Sequence, residues 1–387
     1  MSDAANRYDA GRIHVIEGLE AIRKRPGMYV GSTGPRGLHE LVFGVMGRAV
    51  NEVLMRGGGP VDVTLTSDGG VRIADDVPGI PFEDAGDAGT PGLEARLTRL
   101  YAGTEPVGRR AAGLDRFGLG LCVANALSSR LTVEVRREGA RSTQEYARGV
   151  ALTPPAPAGP ATGSGTTLVF WPDADMFETT EFSYDVLAER FRELAFLNRG
   201  LRISLTDERS PGEAGTERFE GGVPDFLAVL ETRAGGTPVH VDIIGFETED
   251  PRMAGSVEVA FRWCDSHEEV VHSFANSVRT PEGGEHVAGF RAALADAVTA
   301  YAEERRLLRA ANPVLGAARV GEGLTAVLSV KLDQPEYGGA THGRLAGAAV
   351  RSCVEEAVRD HVGAWLERHP EQAAAVVDRI VRGAGRD

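Results

Sequence analysis

A helical periodicity stands out in the first part of the chain. Apolar side chains recur there at three- and four-residue spacing, at Leu38, Leu41, Val42, Val45, Ala49 and Val53. This spacing places them along one face of a helix. We therefore predict a helix over residues 37–54 that packs this face against a core.

Apolar and polar residues alternate in other segments, as they do in strands with one buried face. In the first half these segments are VDVTLTS, GGVRIADD, RLTVEVRREGARSTQEYARGV and TTLVFWP. In the second half we predict strands at VHVDIIGF, GSVEVAFRWC and EEVVHSFANSV, and helices near 285–305, 346–366 and 370–383. Helices beside a largely antiparallel sheet in both halves indicate an α+β fold.

Two polar or proline-rich breaks interrupt these patterns. The segment TPPAPAGPATGSG at 153–165 is rich in proline and glycine, and is predicted to be a surface loop inside a domain. A second break, TDERSPGEAGTE at 206–217, separates the two halves. We place a division near residue 220, giving domains 1–220 and 221–387, and a length of 387 residues suits two or three domains.

The composition excludes some classes of protein. No apolar run approaches the roughly 18 residues that span a bilayer, so contact with a membrane is not expected. The polar first residues lack the apolar core of a secretory signal, and we expect a cytoplasmic protein. Basic and acidic residues number 42 and 56, a net charge of −14. This negative charge argues against a protein that coats nucleic acid, but it permits a local basic patch.

Cysteines and histidines form no metal-ligand pattern. The three cysteines are far apart and are predicted to be buried thiols: Cys122, Cys264 and Cys353. The histidines considered lack ligand spacing and are predicted to be structural: His14, His39, His240 and His286. We therefore expect no metal site built from these residues.

Four motifs together carry a family resemblance. They are EGLEAIRKRPGMYVGS at 17–32, IADDVPGIP at 73–81, FGLGLCVANALS at 117–128 and GTTLVFWP at 165–172. Their order and spacing resemble the ATPase region of the DNA gyrase and topoisomerase IV B subunits. The resemblance implies a Bergerat (GHKL) ATPase-like sandwich with an N-terminal dimerisation arm, followed by a ribosomal-S5-like transducer domain. The metal-binding DNA-cleavage region of those subunits has no counterpart here, so DNA cleavage by this chain alone is not expected.

An acidic pair ends the predicted strand in IADDVPGIP. A carboxylate there can accept a hydrogen bond from the amino group of adenine, while Gly79 permits close backbone approach. By the resemblance, Asp75 is the adenine-reading acid and Thr166 supports it. The alternatives are that Asp75 and Asp76 are only turn residues, and that Thr166 is only a β-branched strand residue.

The segment GLDRFGLGLCVANALS resembles the family's glycine-rich lid, where backbone N–H groups at a helix start bind phosphate. Gly118 and Gly120 are in place, but Leu114 and Asp115 stand where the family has another glycine pair. Two interpretations stay open. The segment binds the phosphates of a nucleotide, or the Asp115 side chain caps the helix instead.

The predicted helix 37–54 lacks the catalytic residues that the resemblance implies. Gly44 stands where the family has the glutamate that activates water, and Arg48 where it has the asparagine that holds Mg²⁺. Without the base, a rate contribution of roughly 10²- to 10⁴-fold should be lost. One interpretation is drift in a paralogue; another is that Arg48 replaces the metal's charge near the phosphates. Glu40, one turn before Gly44, is a remote candidate for a displaced base.

Two further phosphate contacts of the family are changed. Glu105 replaces the lysine of an AGGKF-like segment, and Ala340 and His342 replace the glutamine and lysine of the transducer loop. With Arg48 at the metal-ligand position, the resemblance leaves ATP or ADP as the implied ligand, and bound Mg²⁺ is not expected.

Other family positions are kept. Tyr8 and Ile13 match arm residues that reach a nucleotide across the dimer, and Arg291 matches a transducer arginine facing the DNA cavity. Arg137 matches the arginine at the mouth of the adenine pocket that is associated with aminocoumarin inhibitors, although Pro78 replaces a neighbouring pocket arginine. The alternatives are a disordered arm and solvated arginines.

These features lead to three functional hypotheses. The first is a pseudo-ATPase of the gyrase B type, a binding or regulatory module that keeps adenine-nucleotide recognition and forms a homodimer or a heterodimer with gyrase-type subunits. The second is an active ATPase segment that needs a separate cleavage subunit. The third is a self-protection protein that binds a gyrase inhibitor or gyrase itself. Contact with DNA is expected to be weak or indirect in each.

Overall fold

The computed structural model describes residues 18–82, 92–102, 108–115, 119–210, 212–308, 315–339 and 343–383. Its helices are α1 Leu19–Lys24, α2 Gly27–Val30, α3 Pro35–Met55, α4 Leu93–Thr98, α5 Gly120–Ala126, α6 Tyr184–Leu197, α7 Val223–Ala234, α8 Glu285–Glu304, α9 Ala317–Val320, α10 Ala348–Arg368 and α11 Pro370–Arg382. Its strands are β1 Gly59–Leu65, β2 Val71–Asp75, β3 Ser128–Arg137, β4 Ala140–Ala147, β5 Val150–Ala151, β6 Ala156–Pro160, β7 Gly165–Pro172, β8 Leu201–Asp207, β9 Ala214–Glu217, β10 Ile244–Asp250, β11 Gly255–Trp263, β12 Val270–Ala275, β13 Val278–Arg279, β14 Leu324–Leu332, β15 Tyr337–Gly338 and β16 Arg344–Leu345.

The first half forms one large sheet. Its strands follow the order β5-β4-β3-β7-β2-β1-β8-β9, and β6 pairs with β4. Neighbours are antiparallel except for β1 and β8, which pair in parallel with Gly59 opposite Leu201. The apolar face of α3 packs on this sheet, as its periodicity predicted, and residues such as Leu38, Val42 and Ala49 are fully buried.

The second half forms a smaller sheet in the order β10-β11-β14-β12-β13, in which only β12 and β14 are parallel among the paired strands described. Helices α8 and α10 pack against each other and share a core with this sheet. A third apolar cluster joins the halves, because Phe196 at the end of α6 stacks on Phe226 of α7. The predicted α+β fold is thus confirmed.

The two large sheets fall on either side of the predicted division. The first ends with β9 at Glu217 and the second begins with β10 at Ile244. The domain boundary near residue 220 stays a prediction, and α7 lies between the two sheets in the sequence.

Two predictions about elements were wrong in part. The proline-rich segment 153–165 was predicted to be a loop throughout, yet β6 pairs with β4 inside it. A strand at the edge of a sheet tolerates proline because one row of its backbone groups needs no partner. The strand predicted at VHVDIIGF begins later, at Ile244, and continues to Asp250.

Across the part of the chain that the structure describes, no helix is long and apolar enough to cross a membrane.

Candidate functional site

Asp75 lies at the end of β2, in the middle of the first sheet. The register of β2 and β7 places it opposite Thr166, and the Thr166 backbone N–H donates a hydrogen bond to the Asp75 Oδ1 at 3.3 Å. Both residues are buried. The structure therefore brings together the two residues predicted to read adenine.

Arg48 of α3 reaches the same carboxylate. Its Nη2 donates to the Asp75 Oδ2, and the side chains are only 4% and 0% exposed. The guanidinium predicted to lie near phosphates thus pairs with Asp75, the acid that the resemblance assigns to adenine. A role for Arg48 toward phosphate stays a prediction.

Two polar atoms beside this ion pair have no hydrogen-bond partner among the described residues. They are the Arg48 Nη1 and the Thr166 Oγ1, and both are buried. Leaving a buried polar atom unpaired costs about 1 to 3 kcal/mol. The Arg48–Asp75 ion pair therefore leaves part of the hydrogen-bonding capacity of these buried groups unused.

Gly79 and Arg137 lie at the edge of the same site. A Cβ at Gly79 would lie 2.5 Å from the Val135 Cγ1, so packing against β3 already requires glycine there. The exposed Arg137 donates to the Gly79 carbonyl at 3.5 Å and to the Glu138 carboxylate at 2.9 Å. Arg137 thus lies beside Gly79, and its role at the mouth of an adenine pocket stays a prediction.

Gly44 and Gly47 allow another backbone to approach α3 closely. A Cβ at Gly44 would lie 3.0 Å from the Gly120 Cα, and one at Gly47 would lie 2.8 Å from the Asp115 Cβ. Glycine in a helix costs about 1 kcal/mol relative to alanine. Close packing of α5 and of the segment before it supplies the structural reason for both glycines.

Asp115 caps helix α5. Its Oδ1 accepts the Leu119 backbone N–H at 3.0 Å and its Oδ2 accepts that of Gly120 at 2.8 Å. Burial, assisted by the negative charge of Asp115, raises the pKa of the nearby Cys122 thiol to about 12. The capping interpretation therefore holds in this structure, and phosphate binding by Gly120 stays a prediction.

A cleft of about 880 Å³ lies beside α3, between the two halves of the chain. Gly44 and the exposed Glu40 line it together with Arg36, and Arg190 and Arg279 face it from α6 and β13. Arg190 and Arg279 both pair with the buried Glu193. The described residues that line this cleft include Asp115 and Gly120 but neither Asp75 nor Thr166.

Arg291 of α8 lines a hollow of about 320 Å³ that shares Arg279 with this cleft. Its Nε and Nη2 donate to the two carboxylate oxygens of Glu269, each at 2.8 Å. The Arg291 guanidinium, which was predicted to face DNA, therefore forms an ion pair with a carboxylate of the same chain.

Several predicted site residues lie outside the described residues. They are Tyr8, Ile13, His14, Glu105, Gly118, Ala340 and His342.

The prediction of buried thiols is confirmed for the three cysteines. All three cysteines are free and buried. His39 is held structurally, because its Nδ1 bonds to the Pro35 carbonyl and its Nε2 accepts the Ser183 backbone N–H. No cluster of histidine, cysteine, aspartate or glutamate within the described ranges could hold a metal ion.

Residues that tie the segment before α5 to the second half had not been singled out from the sequence. The buried Asn276 accepts the Gly113 backbone N–H at 2.7 Å and donates through its Nδ2 to the Gly108 carbonyl at 3.1 Å. Arg109 forms an ion pair with Asp333. Asn276 stands in an apolar strand pattern, which is the only signal the sequence offers.

The chain is similar to DNA gyrase B proteins. A model of the DNA gyrase B family matches residues 222–386. The DNA gyrase B protein of Streptomyces coelicolor is 43% identical over 400 residues, which cover 99% of this chain and 58% of that protein. The chain thus spans less than two thirds of the length of this relative.

Two solved structures superpose on nearly the whole chain. The ATPase domain of Thermus thermophilus gyrase B, solved in complex with an aminocoumarin, superposes with a TM-score of 0.78 at 30% identity, covering 95% of this chain and 94% of that one. The ATP-binding domain of Francisella tularensis topoisomerase IV, solved with a small-molecule inhibitor, gives a TM-score of 0.76 at 27% identity, covering 94% and 96%.

Proposed function

Because the chain belongs to the DNA gyrase B family, we propose that it is a form of the family's ATPase and transducer region that has lost ATP hydrolysis. Its role is then to bind other molecules rather than to turn over nucleotide. Both the family assignment and the missing general base support this proposal.

The observation that carries the proposal is the contact between Gly44 and Gly120. Position 44 has no side chain to activate water, and a Cβ there would lie only 3.0 Å from the Gly120 Cα. A side chain that began at position 44 would therefore crowd the backbone of Gly120. A general base within reach of water contributes roughly 10²- to 10⁴-fold to the rate of such a reaction.

The residues present do not fit a bound Mg²⁺. Position 48 carries a cation, which cannot be a metal ligand, and its guanidinium is paired with Asp75. No step of the proposed function therefore depends on a metal ion.

Steady-state phosphate release from ATP in the presence of Mg²⁺ tests the proposal. We expect no turnover above background, and a rate of about 1 s⁻¹ or more would overturn the loss of hydrolysis. Gly44→Glu alone is not expected to restore turnover, because its side chain meets Gly120.

Glu40 provides the decisive control. It is exposed and lines the same cleft as Gly44, so it is the described carboxylate closest in sequence that could replace the base. If the wild-type chain hydrolyses ATP and Glu40→Gln removes the activity, the active-ATPase hypothesis replaces this one. Activity unchanged in Glu40→Gln would also contradict the loss of hydrolysis and would show that Glu40 is not the base.

We further propose that the chain acts by associating with a second copy or with a gyrase-type subunit. Its net charge of −14 and the pairing of Arg291 with Glu269 support only weak contact with DNA. Sedimentation of the chain alone, with a gyrase-type subunit and with duplex DNA separates these cases. Tight DNA binding without a protein partner would contradict the proposal.

A further inference from the structure

The two ends of the family's nucleotide site are already engaged by the chain's own charges. At one end, the Asp75 carboxylate accepts the Thr166 N–H on Oδ1 and the Arg48 guanidinium on Oδ2. An adenine amino group is also a donor and would need the same carboxylate. Arg48 therefore makes the contact that an adenine would make.

At the other end, Asp115 binds the first amides of α5. Backbone N–H groups at a helix start bind anions such as phosphate, and here those of Leu119 and Gly120 point to the Asp115 carboxylate. The carboxylate therefore holds the position of an anionic ligand. The segment that contains Asp115 is anchored, because the Ala112 backbone N–H donates a hydrogen bond to the side-chain oxygen of the buried Asn51 at 2.8 Å.

The glycines of α3 connect these two contacts. The Asp115 Cβ lies where a side chain at position 47 would begin, and Gly120 lies where one at position 44 would begin. Glycine at position 44 removes the catalytic base, and glycine at position 47 leaves room for Asp115. The missing base and the position of Asp115 thus belong to one face of α3.

We infer that Arg48 and Asp115 are built-in substitutes for an adenine nucleotide, so that the chain's own side chains make the contacts that a nucleotide would make. The inference rests on the proposed function, because the family assignment identifies Asp75 as the adenine-reading acid. The unpaired Thr166 Oγ1 and Arg48 Nη1 show that the substitute leaves part of the site unsatisfied. Removing Arg48 should therefore expose a carboxylate and a hydroxyl able to bind adenine.

Calorimetric titration with ADP and with the β,γ-imido analogue of ATP tests this inference. We expect the wild-type chain to show no binding at about 1 mM ligand, and Arg48→Asn to gain at least about tenfold in affinity. Arg48→Lys is the matched control, because it keeps a cation beside Asp75 and should not gain. Adding Asp75→Asn to Arg48→Asn should remove the gain.

Three results would overturn the inference. They are wild-type binding as tight as that of Arg48→Asn, no gain in a folded Arg48→Asn, and a gain that survives Asp75→Asn. If Arg48→Asn does not fold, Asp115→Gly frees the amides of α5, and pyrophosphate should then raise its melting temperature more than that of the wild type. An equal rise in the melting temperatures of Asp115→Gly and the wild type would also overturn the inference.

The outcome is separable from that of the proposed function. ATP hydrolysis by the wild-type chain would contradict the proposed function, regardless of which nucleotides the variants bind. Absence of both hydrolysis and a gain in Arg48→Asn would leave the proposed function standing and remove only the inference about built-in substitutes.

Discussion

Asp75 and Arg48 each depend on the other for a charge partner in a buried place. Asp75→Asn would leave the guanidinium buried and uncompensated, and breaking such a pair costs about 3 to 5 kcal/mol. We expect a loss of this size in the free energy of unfolding, measured by urea titration. The exposed neighbour Asp76 gives the matched control, since Asp76→Asn should change stability little. Equal losses in both variants would contradict the buried pairing.

His286 should make stability depend on pH. Burial lowers its pKa from 6.5 to about 4, so between these values the unfolded chain binds the proton that the folded chain excludes. Stability from this group is therefore complete above pH 6.5 and decreases as the pH falls toward 4. Between pH 7 and pH 5 the loss is about 2 kcal/mol.

Replacing the ring should remove this dependence. Urea titrations of His286→Gln at pH 7 and pH 5 should show a smaller difference than those of the wild type, by about the same 2 kcal/mol. The variant loses one contact, the His286 Nε2 to Thr280 Oγ1 at 3.3 Å, which affects both pH values alike. A pH dependence that remains at its wild-type size would contradict the assignment.

At the scale of single residues, the sequence predicted the residues of the candidate site better than it predicted the contacts of their side chains. Asp75 and Thr166 could be paired from the resemblance, and the structure places them side by side. The partner of Arg48 could not be predicted, because a long guanidinium side chain reaches a residue 27 positions away. Its direction depends on the angle at which α3 crosses the sheet, which no local pattern encodes.

The contact between α3 and α5 is the element-scale feature most sensitive to mutation. A Cβ at Gly120 would lie 2.3 Å from the Gly44 carbonyl oxygen, which belongs to the backbone of α3. Gly120→Ala should therefore force the helices apart and cost about 1 to 3 kcal/mol in unfolding free energy. Thermal and urea unfolding would measure the loss.

Gly363 in α10 provides the matched control for this prediction. A Cβ there would meet nothing within 4 Å, so Gly363→Ala should stabilise the chain by about 0.4 to 1 kcal/mol. Opposite signs for the two substitutions are the expected result. Stabilisation by Gly120→Ala would show that α3 and α5 are not in direct contact.

Elements with a clear period were predictable, and those without one were not. Apolar residues of α3 recur at three- and four-residue spacing over several turns, although residues 45–51 are buried on every side. Strand β14 is buried on both faces along nearly its whole length, so it has no alternation of apolar and polar residues to detect. Strand β6 is an edge strand of prolines and small residues, which resembles a loop in composition.

At the scale of the molecule, Asn276 is the buried link between the segment before α5 and the second half. Asn276→Ala would remove side-chain bonds to the Gly108 carbonyl and to the backbone of Leu332, and we expect a loss of about 2 to 3 kcal/mol. Hydrogen exchange should also become faster at the Gly113 amide, which bonds to the Asn276 carbonyl.

Arg109 serves as the comparison, because its ion pair with Asp333 is partly exposed. Exposed ion pairs contribute little to stability, so Arg109→Ala should have a smaller effect than Asn276→Ala on both measurements. If the order of the two effects is reversed, the ion pair rather than the buried amide joins the halves.

The parallel pairing of β1 with β8 has a consequence for how the chain is made. On the ribosome, β1 emerges early, but its neighbour β8 emerges only after β2 to β7 and α6 have been synthesised. Until then, one edge of the nascent sheet has unpaired N–H and C=O groups that can bind other chains. Contacts between distant segments also slow folding. The first domain is therefore exposed to aggregation until translation has passed Asp207, and a nascent chain released before that point should depend on chaperones.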